Sequence, residues 1–211
     1  MKYFITAALA IIVALSCPAQ TNFAISAGYN HNTGRVHTKN IQQPTGYVPG
    51  YNVTARVKTA FEPPLNFVGL IAYNKRGYTL QPLMGDTINK EISIHYIDLA
   101  PILSYDLVSV NKNKLTLFAG PMLGMALSGK QKITEKGTPV NTTTSSPMKF
   151  SLTGYYGYVN AAIHSGISFQ FNKIFIEGTY HLGLTSINND EEVDRTNIKN
   201  RGFAINLGYW F

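Results

Sequence analysis

Four side chains late in the chain have the types that hydrolytic chemistry uses: His164, Ser168, Glu177 and His181. A serine hydroxyl becomes a nucleophile when a base takes its proton and a third group orients that base, and Ser, His and Glu are the parts of such a relay. Two stretches alternating with period two, Val159 to Phe171 and Ile174 to Leu184, flank Asn172-Lys173. Strands joined by so tight a turn place the four residues on like faces. The set is incomplete for catalysis: no oxyanion donor can be named, and no His-x-Ser pair occurs at tight strand spacing. Hydrogen bonding inside a closed sheet explains the same residues, so no catalytic residue is assigned and the four stand as candidates only. The histidines His31, His37, His95, His164 and His181 lack the close spacings of zinc sites, and no glycine-rich phosphate cradle is present. Neither metal nor cofactor is expected.

The elements that hold these residues are strands. In Phe203-Ala204-Ile205-Asn206-Leu207-Gly208-Tyr209-Trp210-Phe211 every odd position is large and apolar, and the even ones are Ala, Asn, Gly and Trp. One face is greasy and the other is not. Similar alternation marks Phe23 to Asn30, Tyr51 to Phe61, Leu65 to Leu80, Ile92 to Leu107 and Leu115 to Ser128, which with Phe203 to Phe211 and the two strands that flank Asn172-Lys173 make eight. Within Ile92 to Leu107 the apolar set moves from even to odd positions at Ile97, which a bulge near Tyr96 would explain. Short turns at Pro63-Pro64, Asn111-Lys112-Asn113 and Asn172-Lys173 alternate with long connections at His31 to Gly50, Gln81 to Lys90, Gly129 to Lys149 and Ser186 to Arg201. Segregation of loop lengths to opposite rims is the pattern of membrane barrels. The inward face then carries Asn52, Thr54, Arg56, Lys58, Asn66, Asn74, Asn160, His164, Ser168, Gln170, Glu177, His181 and Asn206. Arg56, Lys58, His164, Glu177 and His181 are expected to form a lumen network, because buried charges persist only when paired and hydrogen-bonded. Tyr29, Tyr51, Tyr73, Phe169, Tyr209 and Phe211, outward and near strand ends, suit aromatic girdles.

Composition agrees with a sheet that has one face in lipid. Among 211 residues only 14% are charged and 12% are aromatic, against about 25% charged in typical soluble domains. Mean hydropathy is −0.04, and after the N-terminus no apolar run approaches the roughly 20 residues of a membrane-spanning helix. Lys2, the apolar Phe4 to Leu15 and Cys17-Pro18-Ala19 read as a secretory signal peptide over residues 1–19, cleaved after Ala19, followed by one barrel domain over 20–211. The rival reading, a lipoprotein signal with Cys17 lipidated, meets a poor lipobox in Ala14-Leu15-Ser16. Cys17 is the only cysteine, so a mature chain starting at Gln20 has no thiol chemistry. The net charge of +7 comes from scattered residues, with a modest concentration at Lys130, Lys132, Lys136 and Lys149. A basic rim meeting lipid phosphates explains it better than nucleic acid, which an exported protein does not meet.

Four segments resemble the PorT-like outer-membrane barrels, the porin-family proteins of Bacteroidetes-type bacteria: Ile97-Asp98-Leu99-Ala100-Pro101-Ile102-Leu103, Phe118-Ala119-Gly120-Pro121-Met122-Leu123-Gly124, Tyr180-His181-Leu182-Gly183-Leu184-Thr185-Ser186-Ile187 and Leu207-Gly208-Tyr209-Trp210-Phe211. Ala100, standing between the Ile-Asp-Leu and Pro101, departs from the pattern. The resemblance implies an all-β, eight-stranded antiparallel up-and-down transmembrane β-barrel in the outer membrane of a Gram-negative bacterium. Its closing Leu207, Tyr209 and Phe211 resemble the signal read by the barrel-assembly machinery. Eight strands leave an interior that side chains fill. The expected role is therefore non-enzymatic, structural or binding. Its partners would be outer-membrane lipid, lipopolysaccharide and an envelope protein or ligand at the four loops. A lipid A-modifying enzyme and a soluble lipocalin-like carrier are the alternatives.

Overall fold

A computed structural model of the chain describes residues 21–38, 41–81, 88–135, 141–151, 156–188 and 196–211. The expected signal peptide and Lys136 lie outside these residues. Eight long strands follow the alternation of the sequence: β1 (Thr21–Thr38), β3 (Thr45–Glu62), β4 (Leu65–Leu80), β5 (Ile88–Val110), β6 (Asn113–Glu135), β10 (Val159–Phe171), β11 (Ile174–Gly183) and β12 (Thr196–Trp210). Four short ones lie between them: β2 (Ile41–Gln43), β7 (Thr142–Pro147), β8 (Phe150–Ser151) and β9 (Tyr156–Gly157). The long strands pair antiparallel with their neighbours in sequence. The first and last also pair, from Ala24 with Trp210 to Thr38 with Thr196, which closes an eight-stranded ring.

Closure removes both sheet edges, so the ladder satisfies the backbone polar groups without water. The outer wall is then free to be apolar. Ile25, Val53, Ile71, Leu99, Leu123, Ile163, Ile176, Leu182, Ile205 and Leu207 all stand exposed on it, Leu207 at 62%. A surface so broadly apolar is suited to hydrocarbon and not to water. Ring pairs mark the two ends of this belt. Phe23 packs on Phe211 at 5.7 Å near the chain termini, and at the other end Tyr51 meets Tyr73 at 6.2 Å while His31 meets Tyr47 at 4.7 Å.

The short turns lie where the residues dictate them. Pro63-Pro64 links β3 to β4. Asn111 and Asn172 open the two-residue hairpins β5–β6 and β10–β11 with φ of 55° and 56°, a left-handed conformation that Asn tolerates better than most side chains. One irregularity falls in mid-wall. The β5–β6 ladder pauses between Leu99/Leu123 and Leu103/Ala119, where Pro101 and Pro121 stand opposite each other without N–H groups to donate.

Two expectations need correction. The segments read as long connections are in large part strand: β1 runs to Thr38, β3 starts at Thr45, β6 reaches Glu135 and β12 begins at Thr196. Polar residues on the outer face suit a ladder that has left the lipid, so the outward apolar period stops well before pairing does. Crossing an apolar band of about 25 Å takes only about 10 tilted residues, whereas β5 and β6 have 23 each. Secondly, β5 does not change face at Ile97. Its even positions point inward from Ile92 to Ser104, and the apolar Ile92, Ile94 and Tyr96 belong to the lumen. The register does shift between His95 and Tyr96, but the extra residue is Leu127 on β6.

The face assignment yields a direct comparison. A cation at mid-belt costs roughly 2 to 4 kcal/mol, so Leu207→Arg should sharply reduce the heat-modifiable folded band on unboiled gels. Thr143→Arg, on the exposed β7, should leave that band unchanged.

Candidate functional site

Buried titratable side chains converge in the ring's interior, which is built in layers. At the end bearing the short turns, Asp106 accepts hydrogen bonds from Lys58 Nζ at 3.2 Å, Lys114 Nζ at 3.4 Å and Thr116 Oγ1 at 2.7 Å. Above it Arg56 grips Glu177 with both Nη atoms, at 2.6 and 2.7 Å. Asn206 Nδ2 donates to the same carboxylate at 3.0 Å, and the guanidinium lies 5.0 Å over the Phe175 ring. Next comes a run of amides. Asn32 donates to Asn30, Asn30 to Asn74 and Asn74 to Asp98, at 2.7, 2.7 and 2.9 Å. Asp98 also accepts from Arg76, which lies 4.5 Å over the Tyr96 ring. Asp98 and Arg76 are 0% and 1% exposed at their side chains, so each would be untenable without the other.

Inward glycines make these layers possible. A Cβ at Gly208 would collide with the Phe175 ring, one at Gly28 with the Asn206 side chain, and one at Gly202 with Asn32 and His181. The opposite wall, from β4 to β10, is apolar, with Val68, Leu70, Ala72, Ala100, Ile102, Met122 and Ala162 in one cluster. Deeper in the lumen, cavities of about 40 and 30 Å³ leave space for a few waters at most, and one of about 180 Å³ opens at the Lys58–Lys114 end.

The far end is sealed by a second apolar cluster. Val36, Tyr78, Ile92, Ile94, Tyr96, Ala126 and Ile198 point inward from the strands, and Met148 and Ile187 fold in from the connections to meet them. Phe150 and Tyr156 pack against it. This cap had no clear signal in the sequence, because residues 148, 150 and 187 sit in polar stretches with no period to read.

The candidate relay is not assembled. On β10 and β11 Ser168 pairs with Glu177 and His164 with His181, yet both Glu177 oxygens are occupied by Arg56. His164 lies 5.7 Å from the Phe118 ring, and His181 Nε2 has no hydrogen-bond partner among the described residues. Of the expected lumen group, Arg56 and Glu177 meet, whereas Lys58 turns to Asp106. Asp98, Arg76, Asp106 and Lys114 escaped the sequence reading. Alternation around them was readable, but which inward charges meet is a property of the closed ring. Among the described residues no group of His, Cys, Asp or Glu could hold a metal.

A closed ring of antiparallel strands, apolar outside and polar within, defines a transmembrane β-barrel. The chain belongs to the family described as outer membrane protein beta-barrel domain, whose model matches residues 18–189, and the ring is accordingly an outer-membrane barrel. No curated protein matches it. Among solved structures it is similar to Ail of Yersinia pestis, crystallised with the heparin analogue sucrose octasulfate, at 18% identity and TM-score 0.44, covering 90% of this chain and 99% of that one. It is also similar to neisserial surface protein A, at 12% identity and TM-score 0.47, over 90% of this chain and 97% of that one. OprG of Pseudomonas aeruginosa is similar at 9% identity and TM-score 0.47, over 92% and 97%. At these values the similarities say nothing about what this chain binds.

The Arg56–Glu177 pair makes a measurable claim. Removing one partner of a buried pair costs about 3 to 5 kcal/mol, so Arg56→Leu and Glu177→Leu should each destabilise by that order. The double variant should lose much less than their sum. Urea unfolding in phospholipid vesicles, followed by the fluorescence of the single tryptophan Trp210, measures all three.

Proposed function

We propose that this protein is a non-enzymatic element of the envelope: a plugged barrel in the outer membrane of a Gram-negative bacterium that displays its strand extensions and connections at the cell surface. One observation carries the reading. Among the described residues the lumen is filled between the Asp106 layer and the Met148–Ile187 cap, where only cavities of about 40 and 30 Å³ remain, so the ring offers no continuous route for solutes. Occupation of Glu177 by Arg56 speaks against a lipid A-modifying relay. What remains available is the end opposite the short turns. There β5 and β6 outrun the lipid and β7, with all six residues exposed, extends their sheet. A surface role suits this end: binding an envelope protein or ligand, or simple mechanical capping.

The narrower placement among PorT-like barrels rests on the four segments named above. Export through a signal peptide cleaved after Ala19, and delivery to the barrel-assembly machinery through Leu207, Tyr209 and Phe211, belong to the same reading. These three residues form a continuous exposed stripe, accessible to a recognising partner before the ring closes.

Two measurements test it. Purified protein in planar bilayers should give no stable conductance, and a steady ion current would overturn the plug. In intact cells a membrane-impermeant maleimide should label Thr143→Cys in a Cys17→Ser background. Labelling only after the outer membrane is opened would reverse the orientation.

A further inference from the structure

The outer wall changes character just above its upper aromatics. On β4 the outward residue after Tyr73 is Lys75, and Lys75 pairs with His95 on β5. His95 pairs in turn with Ser128 on β6, and two residues further along the same face Lys130 pairs with Ser93. Three consecutive strands, each about 4.8 Å from the next, therefore raise basic side chains from one patch of the wall. Beneath them is an aromatic shelf. Tyr73 stacks on His95 at 5.7 Å and meets the Tyr51 ring at a tilt at 6.2 Å. Tyr73 Oη and His95 Nδ1 share a hydrogen bond of 2.8 Å, which holds the imidazole and leaves Nε2 as its remaining polar atom.

Rings at this position sit at headgroup level in a barrel, and long basic side chains just above them reach the layer where lipid phosphates lie. Among the described residues of this face, the carboxylate of Glu91 stands further out, opposite Lys132. Neither Lys75 nor Lys130 has an ion-pair partner among the described residues. We propose that Lys75, His95 and Lys130, standing on the Tyr51–Tyr73 shelf, form a phosphate site on the outer wall that holds a phosphorylated glycolipid of the outer leaflet. The site rests on the orientation given above, with the long connections outside. It does not depend on the plugged lumen.

The full chain in detergent, incubated with lipid A, tests this by native mass spectrometry. The wild-type protein should retain one lipid A, and chemically dephosphorylated lipid A should not be retained. With each lysine contributing about fivefold near a charged surface, Lys75→Gln/Lys130→Gln should weaken retention roughly 25-fold. Lys112→Gln, on the opposite rim, should match wild type. Tyr73→Phe, which frees the imidazole, should weaken retention less than the double variant. All four side chains lie outside the lumen, and heat modifiability establishes that each variant is folded. If the folded double variant keeps lipid A as the wild type does, or dephosphorylated lipid binds equally, the site is wrong. Phosphatidylglycerol competing on equal terms would overturn the glycolipid assignment. Unequal competition with the Thr143→Cys label confined to opened cells would overturn the orientation, and with it the outer-leaflet placement of the site.

Discussion

Hydrocarbon offers no hydrogen bonds, and every other feature of this barrel answers to that fact. A strand crossing lipid must give its N–H and C=O groups to neighbours on both sides, which a sheet with edges cannot do. Pairing of Ala24 through Thr38 with β12 abolishes the edges and turns a chain of hairpins into a ring. With the backbone satisfied, side chains on the outside need only avoid polarity, which is why Leu, Ile, Val and Phe dominate there. One pause in the β5–β6 ladder, at Pro101 and Pro121, falls where two residues without N–H groups face each other. The backbone demand is lowest where the ladder is thinnest.

Closure creates the opposite problem inside. A ring of eight has a lumen that must be filled, and filling it with charge is tolerable only in balanced sets. Arg56 with Glu177 and Arg76 with Asp98 cancel at mid-depth, while the surplus cation among Lys58, Lys114 and Asp106 sits at the mouth, where water can screen it. Each guanidinium also has an aromatic ring beneath it, Phe175 or Tyr96, which shares the cost of leaving water. Because single inward glycines seat the larger groups, these layers interlock across the ring.

The far end departs from the polar lumen. There the strands have left the lipid, water returns outside, and the inside becomes a small apolar core like that of a soluble domain. Met148 and Ile187 complete it from the connections. The inversion is physical: a ladder with water on its outer face buries its apolar side chains inward. Basic residues such as Lys75 and Lys130 line the outer wall at the level of this change, so the wall passes from greasy to aromatic to cationic within a few residues.

Period-two alternation was legible wherever lipid lies against the wall, and β4 and β10 begin and end where the pattern does. The inward residues were readable for the same reason, and so were the tight turns, from Asn-Lys and Pro-Pro. Strand length beyond the membrane was not, since Thr, Asn and Lys in a solvated ladder look like loop. Nor was the meaning of Ile92, Ile94 and Tyr96, which local pattern assigned to a change of face and the ring assigned to a core. The sequence alone determined where strands alternate, because a one-dimensional period encodes which side meets oil. Only the tertiary structure decided which charges pair, that Glu177 belongs to Arg56 and Lys58 to Asp106, and that an apolar cluster caps the end away from the short turns. Those are relations across the ring, between residues as far apart as Arg56 and Glu177, and no local spacing records them.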